Sequence, residues 1–336
     1  MLKKIEITNF KSFNETFTFD LSDTQSFAFH EECIKNGIVN KALIYGQNAC
    51  GKSNLGFAIF DLISHLTDKR TNPSYYENYQ NADNENDLTT FSFTFSFSED
   101  IVIYEYSKQV FGEIQKLNNE KLLINNKEFA SSQAEENLFE SFTTSAKGAE
   151  TLNKGLNGES ISILKYISQN TILDPNDATN KIFKQFMEFV NSMLYFRTID
   201  KNEYMGYKND TWSISHDIVS KGNLQDFEDF LNEAGINCKL KEEEHDGVFK
   251  LYFSFAKQQI EFYSSASKGT KALALFYIWF QRLKQDKKIK FLYIDEFDAF
   301  YHFTLSALIV QKLKEITGTQ IILTTHNTSL LSNEIL

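Results

Sequence analysis

The stretch Gly46-Gln47-Asn48-Ala49-Cys50-Gly51-Lys52-Ser53 constrains this chain more than any other. An apolar run at 42–45 precedes it and a helix-like segment at 54–66 follows, so a buried strand, a tight loop and a helix succeed one another. The spacing G-x-x-x-x-G-K-[ST] in that setting is the pattern of a phosphate-binding loop. Gly46 and Gly51 are expected to let the backbone turn so that successive amides converge on phosphate oxygens, with the positive end of the helix behind them. Lys52 is expected to lie along the β- and γ-phosphates, and Ser53 to offer its hydroxyl to Mg2+, a hard cation that prefers oxygen ligands. The candidate nucleotide contacts are thus Gly46, Asn48, Gly51, Lys52, Ser53 and Asn54.

A second set of signals lies in the last seventy residues or so. The apolar run 291–294 ends in Asp295-Glu296, which suits the other half of a nucleoside triphosphatase site. Asp295 is expected to orient the magnesium and Glu296 to polarise the attacking water as general base; read without the upstream loop, the pair is an ordinary solvated strand end. His326 follows another apolar run, 320–324, where an imidazole can reach a γ-phosphate or the water beside it, although a lone strand-end histidine is more often structural. His302 reads as a loop histidine at a subunit contact or as a capping residue.

The turn 264–270 opens an apolar helix, so Ser267 is either a cap or, with Gly269, a cradle for a γ-phosphate approached from outside. One sheet does not easily place both this turn and the Lys52 loop on the same nucleotide. A second copy of the chain donating the turn is the economical arrangement.

Charge narrows the partners. With 34 basic and 45 acidic residues the chain carries a net charge of −11, which disfavours broad, nonspecific coating of nucleic acid. A local basic run at Lys284, Lys287, Lys288 and Lys290 reads as a groove or as a solvated helix end. Only Arg70, Arg197 and Arg282 could donate a guanidinium to a transition state. Cys33, Cys50 and Cys238 form no C-x-x-C pair, so neither structural zinc nor a disulfide framework is expected. Cys50 reads as a small buried residue, with redox sensitivity of the loop as the other reading. No window reaches the roughly 18 apolar residues of a membrane span, and a cytoplasmic protein without a membrane partner is expected.

In order along the chain, 2–21 reads as two alternating strands and 67–87 as a polar surface excursion. The alternation of Phe with Ser or Thr over 88–97, continued over 101–110, predicts an antiparallel meander. The segment 181–194 reads as a helix, as does 224–234. A hairpin is expected around His245-Asp246-Gly247. The fold class is α/β: a mostly parallel phosphate-loop sheet, an antiparallel meander and a helical insertion. The boundaries are 1–124 for the first part of the head, 125–235 for the mainly helical insertion and 236–336 for the rest of the head.

Together these elements resemble the ATP-binding-cassette class of P-loop ATPases, in the branch of chromosome-maintenance (SMC) proteins, the double-strand-break repair ATPase and the overcoming-lysogenization-defect proteins. Ile5-x-Ile7-x-Asn9-Phe10-Lys11-Ser12-Phe13 looks like that branch's first strand, Gly46 to Ser53 like its Walker A, and Ala266-Ser267-Lys268-Gly269 like its signature. Ile294-Asp295-Glu296 matches Walker B, 297–302 the D-loop and His326 the switch histidine. The resemblance implies a homodimer that sandwiches two ATP molecules with Mg2+, each held by Lys52 and Ser53 of one subunit and by Ser267 and Gly269 of the other. Glu296, His326 and Lys52 would be catalytic. Ala266 stands where leucine is usual, Gln109 and Gln115 are the candidates for the glutamine loop, and long coiled arms are absent.

The compact form most resembles stand-alone bacterial antiphage ATPases, which implies a separate nuclease or toxin as effector. An ATP-gated scaffold with little turnover, a DNA-repair or chromosome-maintenance head, and the ATPase half of a transporter are the competing readings.

Overall fold

The computed structural model describes the 336 residues except 25–29, 70–71, 113, 136–137, 156–160, 199–202, 208–212 and 332–336. Arg70 therefore lies outside the described residues. Two sheets organise the rest. One has seven antiparallel strands in the order Leu138–Thr144, Lys127–Glu135, Ile114–Ile124, Asp100–Phe111, Leu88–Phe97, Leu2–Thr8 and Phe17–Asp20. The other has five strands: Glu203–Gly206, Met193–Thr198, Phe291–Ile294, Gln320–Thr325 and Lys41–Tyr45. In the second sheet every pairing is parallel except that of Glu203–Gly206. A smaller sheet, Leu240–His245, Val248–Ser254 and Gln259–Glu261, forms around the expected Asp246-Gly247 turn.

Parallel strands must be covered on both faces, and the sequence supplies apolar side chains to both. Successive residues point to opposite sides, so Phe291 and Tyr293 join one core while Leu292 and Ile294 join another. The first core lies between the two sheets and takes in Phe60 of the phosphate-loop helix, Phe93 and Phe95 of the meander, and Phe183 and Phe186 of the helix Ala178–Asn191. The second packs the helix Lys268–Asp286 and the helix Phe303–Lys314 on the far face, through Leu273, Phe276, Ile309 and Leu313. Among the described residues no helix is long and apolar enough to cross a membrane.

Several boundaries differ from expectation. Among its described residues the segment 125–235 holds four helices, but it begins with two strands of the antiparallel sheet and contributes Met193–Thr198 to the parallel one. It is woven into the head, because the short run Met193-Leu194-Tyr195-Phe196 gains its ladder only from Phe291–Ile294, distant in sequence. The helix expected over 181–194 accordingly runs Ala178–Asn191. The helix after the phosphate loop breaks into Lys52–Phe60 and Ile63–Leu66. Within the expected surface excursion, Tyr76 and Tyr79 are buried.

The helix Ile163–Asn170 is anchored to the meander by a buried carboxylate. Glu120 accepts from the Tyr104 hydroxyl (2.7 Å), the Ser162 hydroxyl (2.7 Å) and the Ile163 amide (2.7 Å). Burial pushes its pKa up to about 7 from 4.5, against those hydrogen bonds, which pull it down. The folded chain then holds this proton to higher pH than the unfolded chain does. Its contribution to stability is complete below about pH 4.5 and is lost as pH rises through about 7, by about 3 kcal/mol. Urea midpoints of the wild type and Glu120→Gln are expected to converge as pH is raised from 5 to 8; parallel pH profiles would contradict this.

Candidate active site

The phosphate loop leaves the strand Lys41–Tyr45 and enters the helix Lys52–Phe60 through two left-handed residues, Ala49 (φ 63°) and Gly51 (φ 96°). Gly51 is needed twice over: for its φ, and because a Cβ there would stand 3.0 Å from the Ser12 hydroxyl. Gly46 serves differently from expectation. Its φ is ordinary, and a Cβ built at position 46 would stand 2.5 Å from Cys50 Sγ, so a side chain there requires Cys50 to turn away. Ser12 also accepts from Asn54 Nδ2 (2.9 Å), which ties the loop after the first strand to the phosphate-loop helix. The first amides of that helix have no intrahelical acceptor and face the loop, which makes the turn an anion site.

Three distant stretches meet here. Lys52 Nζ donates to the carbonyls of Gly46 (2.7 Å) and Gln47 (2.9 Å) and lies 3.1 Å from His326 Nδ1. His326 Nδ1 is also 2.9 Å from the Gly46 carbonyl, and its Nε2 is 2.9 Å from Glu296 Oε1. Asn48, Ala49, Cys50, Gly51, Lys52, Ser53, Asn54, Glu296 and His326 line one open cleft of about 540 Å³. Cys50 is exposed in it and not buried as the simpler sequence reading had it.

Asp295 sits behind that lining, nearly buried, with Oδ1 accepting from the Thr324 hydroxyl (2.6 Å) and Oδ2 3.5 Å from the Tyr195 hydroxyl. A serine hydroxyl and one carboxylate suit Mg2+, which keeps water and takes phosphate oxygens, and no group of three metal-ligating side chains occurs among the described residues.

The remaining candidates lie elsewhere. Ser267 caps the helix Lys268–Asp286, accepting from the Thr270 amide (3.2 Å), and a Cβ at Gly269 would meet the Phe300 carbonyl at 3.0 Å. Neither lines the Lys52 cleft. Gln109 and Gln115 do not line it either. His302 stands at the N-cap of Phe303–Lys314 with its ring on Thr304 (2.9 Å). Lys284 is in the last turn of its helix and Lys287 is the C-cap, so the basic run is a helix end. Of the two arginines that remain described, Arg197 lies over the Tyr75 ring and Arg282 pairs with the buried Asp217. Sequence reasoning missed Thr324 and Tyr195, the groups around Asp295; the one available signal was two threonines closing an otherwise apolar strand.

A parallel sheet carrying a phosphate loop at one strand end, an acidic pair at a second and a histidine at a third, backed by an antiparallel meander, defines an ABC-type P-loop ATPase head. Residues 41–332 match the family described as "AAA domain, putative AbiEii toxin, Type IV TA system", and the chain belongs to that family. No curated protein matches it.

Among solved structures it is similar to an SMC head bound to the C-winged helix domain of ScpA, with 17% identity, 99% of this chain and 91% of that chain covered, and a TM-score of 0.48. The SMC head domain from Thermotoga maritima gives 15% identity, the same coverages of 99% and 91%, and a TM-score of 0.41. An SMC head with an extended coiled coil, bound to the C-terminal domain of ScpA and derived from Pyrococcus furiosus, gives 14%, again 99% and 91%, and 0.47.

Proposed function

We propose that this chain hydrolyses ATP and acts as a nucleotide-driven dimeric switch. The observation that carries the reading is the contact of Lys52, His326 and Glu296, three residues from three stretches, at the mouth of one phosphate loop. On nucleotide binding, Lys52 exchanges the carbonyls of Gly46 and Gln47 for the β- and γ-phosphates, and the free helix amides take further phosphate oxygens. Glu296 accepts a proton from water as that oxygen bonds the γ-phosphorus, and the bond to the ADP oxygen breaks. His326 holds the carboxylate in place beside the phosphate. Ser53 and Asp295 are the residues that would hold Mg2+, which would neutralise phosphate charge.

Ser267 is exposed, neither it nor Gly269 lines the cleft of its own phosphate loop, and the backbone of Phe300, whose ring is exposed, comes close to Gly269. That favours a second copy supplying Ser267 and Gly269 to the nucleotide. Coupling a nucleotide to a subunit seam turns its hydrolysis into a rearrangement that a partner can read. With the resemblance to compact antiphage ATPases, and a family description that speaks of a toxin, the reading extends to a cytoplasmic regulatory subunit that controls a separate nuclease or toxin.

Complementation in trans tests the composite site. Lys52→Ala and Ser267→Arg are each expected to abolish turnover, whereas their mixture forms heterodimers with one intact site and recovers part of the wild-type phosphate release. A mixture as inactive as its components overturns the shared site. ATP-dependent dimers of the wild type without turnover would establish the scaffold reading instead.

A further inference from the structure

We infer that Thr324 is a positioning residue that sets both Glu296 of the cleft and Asp295 behind it, an inference that rests on the ATPase reading. Its side chain is fully buried next to the last residue of the strand Gln320–Thr325, after the apolar Ile321, Ile322 and Leu323 and before Thr325, whose hydroxyl turns instead to Asp298. The hydroxyl donates to Asp295 Oδ1 at 2.6 Å, and the same oxygen accepts the Glu296 amide at 2.8 Å. The Thr324 carbonyl accepts the Phe297 amide at 3.1 Å. Three consecutive residues of one strand end are thus fastened to one residue of the next strand. A valine would fill the same volume and suit a strand as well, so packing does not account for the hydroxyl.

Two geometric consequences follow. Glu296 adopts a left-handed backbone (φ 45°), which a residue with a Cβ avoids unless its surroundings hold it there. The Thr324 hydroxyl holds its amide, and the resulting kink carries the Glu296 carboxylate out of the sheet to meet His326 at 2.9 Å. Since Thr324 and His326 are two residues apart on one chain segment, the hydroxyl also fixes the base relative to the histidine. At Asp295 the hydroxyl occupies one carboxylate oxygen and so selects which oxygen remains for a cation. The bond is short and charge-assisted, the stronger kind of hydrogen bond.

The test compares Thr324→Val and Thr324→Ser in the full chain, with Thr324→Ala in place of valine should that variant not fold. Thr324→Val is expected to lower the kcat for ATP by about 10- to 100-fold and to raise the Mg2+ concentration giving half-maximal activity. Nucleotide affinity measured without Mg2+, which the phosphate loop carries alone, is expected to stay at the wild-type value. Thr324→Ser, which keeps the hydroxyl, restores both parameters. A merely structural role would weaken Mg2+-free binding together with turnover and leave the Mg2+ dependence unmoved. Wild-type kcat and Mg2+ dependence in Thr324→Val, or a serine variant as impaired as the valine one, overturns the inference. Should the wild type bind nucleotide without turning it over, the ATPase reading fails by itself. The Mg2+ dependence of ADP binding then decides for Thr324: a weaker dependence in the valine variant supports it and an unchanged one overturns it.

Discussion

Replacing Glu296 by glutamine is expected to lower ATP turnover by about 10²- to 10⁴-fold while leaving ATP binding intact. The amide is nearly isosteric with the carboxylate, and its oxygen can still accept from His326 Nε2, so the contact at 2.9 Å survives. The Glu296 amide keeps its bond to Thr324 at 2.8 Å, so the left-handed kink survives too. What the variant lacks is a group able to take a proton from water. Nothing between Lys52 and the phosphates is touched, so affinity stays. If ATP joins two subunits, the variant accumulates as a dimer at stoichiometric ATP, and its mass in solution doubles. Phosphate release and light scattering on the same sample check both halves. Turnover within tenfold of the wild type would remove Glu296 from the role of base.

That constellation was legible because its chemistry forces its spelling. A backbone wrapped around phosphates needs Gly51 in the left-handed region, and Lys52 and Ser53 must follow it at the start of a helix. Asp295, Glu296 and His326 were legible only by their positions after apolar runs, which parallel strands must have. The meander announced itself by the Phe alternation of Leu88–Phe97, whose inward rings Phe91, Phe93 and Phe95 are buried.

Where the deciding contact is distant, local pattern failed. Met193–Thr198 follows an amphipathic helix without a break, and only pairing with Phe291–Ile294 makes it a strand. The strand Lys127–Glu135 is mostly polar and is specified by its neighbours in the sheet. Thr324 left only the faint signal of a threonine pair closing an apolar run, because a threonine in a strand is unremarkable until its partner is known. Asp61 did leave a trace, a lone acid in the apolar run 57–63, and it proves to be the most enclosed carboxylate beneath the meander alongside Glu120.

Asp61→Ala is expected to destabilise the fold by about 3–5 kcal/mol, the largest effect foreseen for any residue outside the cleft. The carboxylate follows directly on the helix Lys52–Phe60 and is almost completely buried. It accepts from the Tyr79 hydroxyl (2.9 Å), the Tyr106 hydroxyl (2.8 Å) and Lys108 Nζ (2.7 Å). Lys108 is itself buried; desolvation lowers its pKa, and Asp61 is the neighbour that raises it. Deleting the acid strands an ammonium and two phenols in the core, with Ser64 Oγ (2.9 Å) as the remaining acceptor for Lys108.

Lys108→Met is expected to be milder, since Asp61 keeps both tyrosine donors. The pair Asp61→Ala with Lys108→Met is expected to lose less than the sum of the single losses, because the second change removes the charge that the first leaves unpaired. Urea unfolding of the four proteins supplies the cycle, and additive losses would show that the two charges do not depend on each other. The helix that Asp61 ends is the one that opens directly after the phosphate-binding motif, so its far end is fixed to the meander through this acid. Asp61→Ala is therefore also expected to weaken ATP binding at temperatures where the fold is still intact, as the phosphate-loop helix loses the anchor opposite its binding end.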